Sequence, residues 1–153
     1  MDLNAIYTEL ILEHSQHSGN KGSLKCANCR ERGYNPSCGD DITLEFCFKN
    51  GKIEAAAFTG TGCAISQAST SIMIDLIKGK SVDEALELAD IFLGMIKSEI
   101  QEDNQLEILE DAVAFKNISH MPARVKCAVL SWRTLMQAVK KAKINQVGMA
   151  HNG

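Results

Sequence analysis

Cys38, Asp40, Cys63 and Cys127 are the residues of this chain whose types could do chemistry together. Three thiolates and one carboxylate form a donor set for zinc or iron in tetrahedral geometry. Cys38 lies in Asn35-Pro36-Ser37-Cys38-Gly39-Asp40. There Pro36 fixes one backbone angle, and Gly39 lets the backbone pass close to whatever the thiol holds. Asp40, two residues on, can bring its carboxylate to the same ion. Cys63 lies in Gly60-Thr61-Gly62-Cys63-Ala64-Ile65-Ser66, a glycine-flanked turn that opens a helix. The helix dipole and free N–H groups favour thiolate at such a position. Cys127 falls in the first turns of the last helix, off the centre of the apolar stripe Val125, Val129 and Trp132 and near Ser131. Arg124, one turn earlier, is a cation expected to favour thiolate there. Taken singly, each cysteine reads first as a small buried hydrophobe. Taken jointly, the turn placements and the neighbouring aspartate lead to the expectation of one metal site.

The remaining candidates are weaker. Cys26-Ala27-Asn28-Cys29 could chelate a metal, form a redox disulfide or sit unused. A rival site of Cys26, Cys29 and Cys38 would leave Cys63 or Cys127 as a plain helix residue. Cys47 shares strand parity with Thr43 and Glu45, which places it on the polar face as an incidental residue. His14 completes an apolar helix stripe, while His17 and His120 border helices; each is expected to be structural or solvated.

The elements that must position these residues follow from periodicity. Leu3, Ile6, Tyr7, Leu10, Ile11 and His14 recur at spacings of three and four, so residues 2–16 are expected to be helical. Ser18-Gly19 then breaks the pattern. A strand is expected over about 28–34, before Asn35-Pro36. Ile42, Leu44, Phe46 and Phe48 alternate with Thr43, Glu45 and Cys47, the signature of a strand with one buried face. Asn50-Gly51 is a two-residue hairpin turn, since both positions tolerate positive φ. On the return strand, about 52–59, Ile53 and Phe58 fall on opposite parities, and a bulge would reconcile them.

From Gly62 the period becomes helical, with Ile65, Ala68, Ile72, Leu76 and Ile77 as the stripe and Gly79 as the stop. Ser81 and Glu84 form a capping box for a helix to about Ile100. A shorter helix is expected over about 105–114, and Pro122 suits the first turn of the last one, with Val125, Val129, Trp132, Met136 and Val139 on its buried face. The order gives an α+β domain with helices packed on one face of a small antiparallel sheet. The whole chain, 1–153, is expected to be one domain, with about 144–153 as a flexible tail.

Composition narrows the function classes. The 153 residues suffice for one core, and 45% apolar content argues against disorder. The apolar runs are short, Ala55-Ala56-Ala57-Phe58 being typical, so no membrane partner is expected. A net charge of −3 gives no reason to expect nucleic acid. Met1-Asp2-Leu3-Asn4 does not begin a signal peptide, so the expected location is the cytoplasm, where thiols stay reduced.

Asn-Pro-Ser-Cys-Gly-Asp (35–40), Gly-Thr-Gly-Cys-Ala-Ile-Ser (60–66) and Pro-Ala-Arg-Val-Lys-Cys (122–127) resemble the iron–sulfur assembly proteins of the IscU/NifU N-terminal superfamily. The likeness covers nearly the whole chain, including Gln67-Ala68-Ser69-Thr70-Ser71 and Ser131-Trp132. Within the superfamily it looks like the SufU branch. IscU-type chains carry histidine just before the third cysteine, where this chain has Lys126, and the stretch between Cys63 and Cys127 is longer than theirs by about one helix. The Leu-Pro-Pro-Val-Lys signal of IscU is replaced by Pro122-Ala123-Arg124. The resemblance implies a three-stranded sheet packed with helices and a site of Cys38, Asp40, Cys63 and Cys127 holding zinc. It also implies that a SufS-type cysteine desulfurase supplies persulfide sulfur, with Cys38 the expected acceptor once a desulfurase histidine replaces it at zinc, and Arg124 helping at the interface. Sulfur would then pass toward other assembly proteins or apo-acceptors. The alternative within the superfamily is a scaffold holding iron or a [2Fe–2S] cluster on Cys38, Cys63 and Cys127. Two features depart from the pattern: the Cys26/Cys29 pair, and Ser18-Gly19 where SufU-like chains often have Pro-Arg.

Overall fold

The computed structural model describes residues 3–152, with side chains placed from 4 to 144. The tail expected over about 144–153 falls largely on side chains outside the described residues. Helix α1 (Leu3–Gln16) leads into an antiparallel sheet of β1 (Cys29–Asn35), β2 (Asp40–Lys49) and β3 (Lys52–Thr61) in the order β1-β2-β3. Helices α2 (Ala64–Ile77), α3 (Val82–Ile96) and α4 (Asp103–Leu106), a 3-10 segment (Glu107–His120) and the long α5 (Pro122–Asn152) complete the fold.

The period-two pattern of β2 puts Ile42, Leu44 and Phe46 wholly inside, against Ala68, Ile72, Trp132 and Leu135 from α2 and α5. At the β2–β3 turn Asn50 and Gly51 both take positive φ, 55° and 75°, as the hairpin requires. Cys47 pairs with Ala55 and Phe48 with Ile53, so Glu54 is the extra residue of a bulge. That bulge is why Ile53 and Phe58, on opposite parities, are both buried. Ser81 caps α3 by accepting the Glu84 N–H, as the capping box predicts.

Two helical boundaries differ from expectation. α3 stops at Ile96 rather than near Ile100: Ser98 turns to φ 60°, and the Glu99 and Ile100 N–H groups reach back to Gly94 O. This closure folds Ile100 over Gly94, where an added Cβ would lie 2.7 Å from its Cδ1. The helix expected over 105–114 is a single turn of α4 followed by the 3-10 segment, interrupted at Glu110 (φ 50°). Leu106, Leu109, Ala112, Phe115 and Ile118 are nevertheless buried, so tertiary packing rather than helical period selects this backbone. Phe115 meets Phe92 edge-on, and Phe92 stacks on Trp132 with centroids 4.0 Å apart.

Cys47 is not an incidental polar-face residue. It is buried and disulfide-bonded to Cys26. The segment before β1 folds over that face of β2: Leu24 N–H donates to Glu45 Oε1, Asn28 N–H to Phe46 O, and Asn28 Nδ2 to Phe48 O. The expectation of uniformly reduced thiols therefore does not hold here. The rival grouping of Cys26, Cys29 and Cys38 also fails. Cys26 is bonded elsewhere, and Cys29, opposite Phe46, starts the strand whose last residue, Asn35, opposes Asp40. A strand of that length separates Cys29 from Cys38 by about 20 Å.

Candidate metal centre

Three chain crossings bring the candidate residues to one end of the sheet. The β1–β2 connection is the tight turn between Asn35 and Asp40, closed by Gly39 N–H donating to Asn35 O at 3.0 Å. Gly39 has φ +72°, the left-handed conformation glycine tolerates best. Cys38 is exposed on this turn, and Asp40 begins β2 fully buried. At the same end β3 finishes with Thr61 opposite Asp41, so Gly62 and Cys63 follow directly beside Asp40. Cys127 comes from α5, whose Thr134 lies over Gly33 of β1. Seven residues of helix, about 10 Å, carry the chain from there back to Cys127.

The donor atoms of Cys38, Asp40 and Cys127 all lie within 4.8 Å of one another. Thiolates on one tetrahedral zinc stand about 3.8 Å apart, given bonds near 2.3 Å, so these side chains need close by only about 1 Å to share an ion. Asp40 is the hub. Cys38 Sγ donates to its Oδ2 at 2.9 Å, and the Cys63 N–H donates to its Oδ1 at 2.9 Å. The structure does not bring Cys63 into this trio: its Sγ lies more than 4.8 Å from at least one of the three donors, and it is the Cys63 N–H that reaches Asp40. Cys63 is the N-cap of α2, with Ser66 N–H donating to its Sγ at 3.4 Å. Gln67 Nε2 braces the same turn by donating to Gly62 O at 3.0 Å. A Cβ on Gly62 would lie 2.9 Å from Asp40 Oδ1, so the close approach of this turn to the carboxylate depends on glycine.

The cluster has a fixed interior and an open rim. Cys127 is buried, and burial pushes its thiol well above the ordinary value; Cys63, Cys38 and Asp40 beside it push the same way. Arg124, expected to favour thiolate at Cys127, is exposed on the first turn of α5, and it is not among the groups that push the Cys127 thiol upward. A buried thiol crowded by other acidic groups is a site where a cation relieves repulsion that water cannot reach. Lys126 is exposed beside Cys127 and brings no imidazole to the site.

The other candidates behave as structural groups. His14 Nδ1 shares a hydrogen bond with Ser71 Oγ at 2.8 Å, and His17 and His120 are exposed. Sequence reasoning gave no role of their own to two residues, Ser66 and Ser131, whose hydroxyls are buried without a partner. The available signal was helical spacing, because each lies one turn after a candidate cysteine on the same helix.

Residues 6–147 match the family described as the NifU-like N terminal domain. A protein of Streptococcus pyogenes serotype M1 called iron–sulfur cluster assembly scaffold protein IscU is 39% identical over 140 residues, spanning 92% of this chain and 86% of its own. A Bacillus subtilis protein called zinc-dependent sulfurtransferase SufU is 38% identical over 140 residues, spanning 92% and 93%. Among solved structures, a putative iron–sulfur cluster assembly scaffold protein for the SUF system from Fervidobacterium islandicum superposes with TM-score 0.81 at 39% identity, covering 90% of this chain and 99% of its own.

Proposed function

Because the chain belongs to the NifU-like N-terminal domain family, we propose that it is a zinc-bound sulfur acceptor of iron–sulfur cluster assembly, taking persulfide sulfur from a SufS-type cysteine desulfurase. The observation that carries this reading is the asymmetry of the cluster. Cys38 is exposed on a turn, yet its thiol lies within 4.8 Å of the buried donors of Asp40 and Cys127. Cys38, Asp40, Cys63 and Cys127 would hold zinc, and the ion would keep the thiolates deprotonated without redox chemistry of its own. Lys126 in place of an imidazole leaves three sulfurs and one oxygen as the whole donor set.

The transfer step needs no added oxidant or reductant. The Cys38 thiolate attacks the terminal sulfur of the desulfurase persulfide; a new S–S bond forms at Cys38 as the old one breaks. The desulfurase cysteine leaves as thiolate, so charge is conserved and the persulfide proton stays on the transferred sulfur. Exposure of Cys38 gives the incoming persulfide access, while Asp40, anchored by the Cys63 N–H, holds the turn's far side in place. Arg124, exposed one turn before Cys127, is available to a partner's acidic surface. The test is metal analysis of the purified protein together with desulfurase turnover of cysteine. Stoichiometric zinc and stimulated turnover are expected; a zinc-free protein that leaves turnover unchanged sinks the reading.

A second reading, a scaffold for a [2Fe–2S] cluster on Cys38, Cys63 and Cys127, is favoured by one feature: the carboxylate of Asp40 is a hard oxygen donor among soft thiolates, which suits a ligand that lets a cluster go. Anaerobic reconstitution followed by transfer to an apo-ferredoxin decides it. Failure to form a transferable cluster counts against the scaffold.

A further inference from the structure

Buried hydroxyls crowd the seam between α2 and α5, and nearly all are satisfied. Ser69 Oγ donates to Ala128 O at 2.6 Å and accepts from Trp132 Nε1 at 3.0 Å. Thr70 and Thr134 donate to the carbonyls one turn earlier, Ser66 O and Leu130 O, each at 2.7 Å. Ser71 Oγ shares hydrogen bonds with His14 and Ser18. Among the described residues, the buried side-chain polar atoms with no partner are Ser66 Oγ and Ser131 Oγ, each in a residue only 1% exposed.

Their positions are not arbitrary. Ser66 is three residues after Cys63 on α2, and Ser131 is four after Cys127 on α5, so each shares a helix face with a cysteine of the cluster. Helical side chains lean toward the helix N-terminus, so each serine lies about one turn from a cluster cysteine, and neither hydroxyl is bonded to that cysteine's sulfur in the metal-free chain. Ser66 Oγ also flanks the Asp40 carboxylate: the point where a Gly62 Cβ would sit is 3.3 Å from Ser66 Oγ and 2.9 Å from Asp40 Oδ1. Neither hydroxyl takes the back-bond to the preceding turn that Thr70 and Thr134 use. A buried hydroxyl without a partner costs folding free energy, and a native fold that keeps two of them beneath one cluster gives each something to bond in another state.

We propose that Ser66 and Ser131 are positioning residues of the metal-loaded cluster, donating their O–H groups to the thiolate sulfurs of Cys63 and Cys127, directly or through one ordered water. A thiol sulfur is a poor acceptor, whereas a metal-bound thiolate is negatively charged and accepts well. The hydroxyls are therefore orphaned without metal and satisfied with it. Such outer donors fix ligand orientation and typically hold about 10–100-fold in metal affinity. The inference rests on the reading of the cluster as a metal site.

The experiment measures Co2+ affinity by the thiolate-to-cobalt absorption band, Zn2+ affinity by chelator competition, and Tm with and without zinc. It compares the full chain with Ser66→Ala, Ser131→Ala and the hydroxyl-retaining Ser66→Thr and Ser131→Thr. The alanine variants are expected to lose at least about 10-fold in affinity. Their zinc-free Tm should hold or rise by about 2–4 °C, because an unsatisfied hydroxyl has been removed. The threonine variants should recover affinity and shift the cobalt band back. Alanine variants that bind metal like the wild type overturn the proposal. So do variants that fail to fold, or that lose Tm equally with and without zinc, since the hydroxyls are then packing groups. A wild-type chain that binds neither metal overturns the metal-site reading itself, a separate outcome.

Discussion

Cys38→Ala separates a sulfur acceptor from a metal site that exists only to hold the fold together. In the structure Cys38 is exposed and makes one close bond, from Sγ to Asp40 Oδ2 at 2.9 Å. The turn around it has its own ties: Gly39 N–H to Asn35 O at 3.0 Å, and Ser37 Oγ to Asn35 Oδ1 at 2.9 Å. Asp40 keeps its bond from the Cys63 N–H when the thiol is gone. The loss is thus one hydrogen bond from a weak S–H donor and no core packing, about 0.5–1.5 kcal/mol. For a domain of this size that is a fall in Tm of under about 6 °C. Differential scanning of the zinc-free variant reads this directly, and persulfide transfer from a desulfurase reads the function. The expected result is a folded protein whose sulfur acceptance and stimulation of turnover are lost. An unfolded variant would make the site a structural module, and a folded variant with wild-type acceptance would remove Cys38 from the acceptor role.

Gly62→Ala is expected to weaken zinc binding at least several-fold while costing about 1–3 kcal/mol, since its Cβ would sit 2.9 Å from Asp40 Oδ1; chelator competition and urea unfolding check the two effects. Reducing the Cys26–Cys47 disulfide, whose partners are 21 residues apart, should cost about 3 kcal/mol by the chain-entropy argument. Thiol titration of the denatured protein should rise from the four cysteines outside the disulfide to all six on reduction, and a count of six beforehand would remove the staple. The zinc-free protein should lose stability above about pH 9. The Cys127 thiol has an ordinary value of 9.0 and is raised by burial in the fold, so the unfolded chain gives up that proton first and alkaline pH pulls toward it. A smaller drop between pH 8 and pH 10 in Cys127→Ala than in the wild type isolates this thiol from Cys29, which burial also raises and which keeps its own share of the loss.

The parts of the fold that were legible are those where one local pattern decides the outcome. Ile42, Leu44 and Phe46 must face one side, Asn50-Gly51 must turn, and two core residues on opposite parities of β3 must have a bulge between them. The 3-10 segment was not legible, because its backbone follows Leu109, Ala112, Phe115 and Ile118 into gaps left by α2, α3 and α5. Cys47 was misread for a related reason. Parity tells which face of β2 it occupies, but not that residues 24–28 lie across that face and bury it against Cys26.

The cluster divides along the same line. Cys38 and Asp40 share one turn and Cys63 opens a helix after the strand paired with β2, so local sequence and one hairpin register bring Cys38 Sγ and the Cys63 N–H onto Asp40. Cys127 has no such tie. Its place depends on how closely α5 approaches β1, which Gly33 controls: a Cβ there would stand 2.2 Å from Thr134 Oγ1. A Cβ at position 33 forces the Thr134 side chain to shift, and if α5 moves with it, Cys127, two turns earlier on the same helix, is carried away from Asp40. Gly33 thus bears on the donor set through the seat of α5, although it is not one of the donors. Its signal in the sequence is a lone glycine within a strand, a sign of close backbone approach whose object only the packed helix reveals.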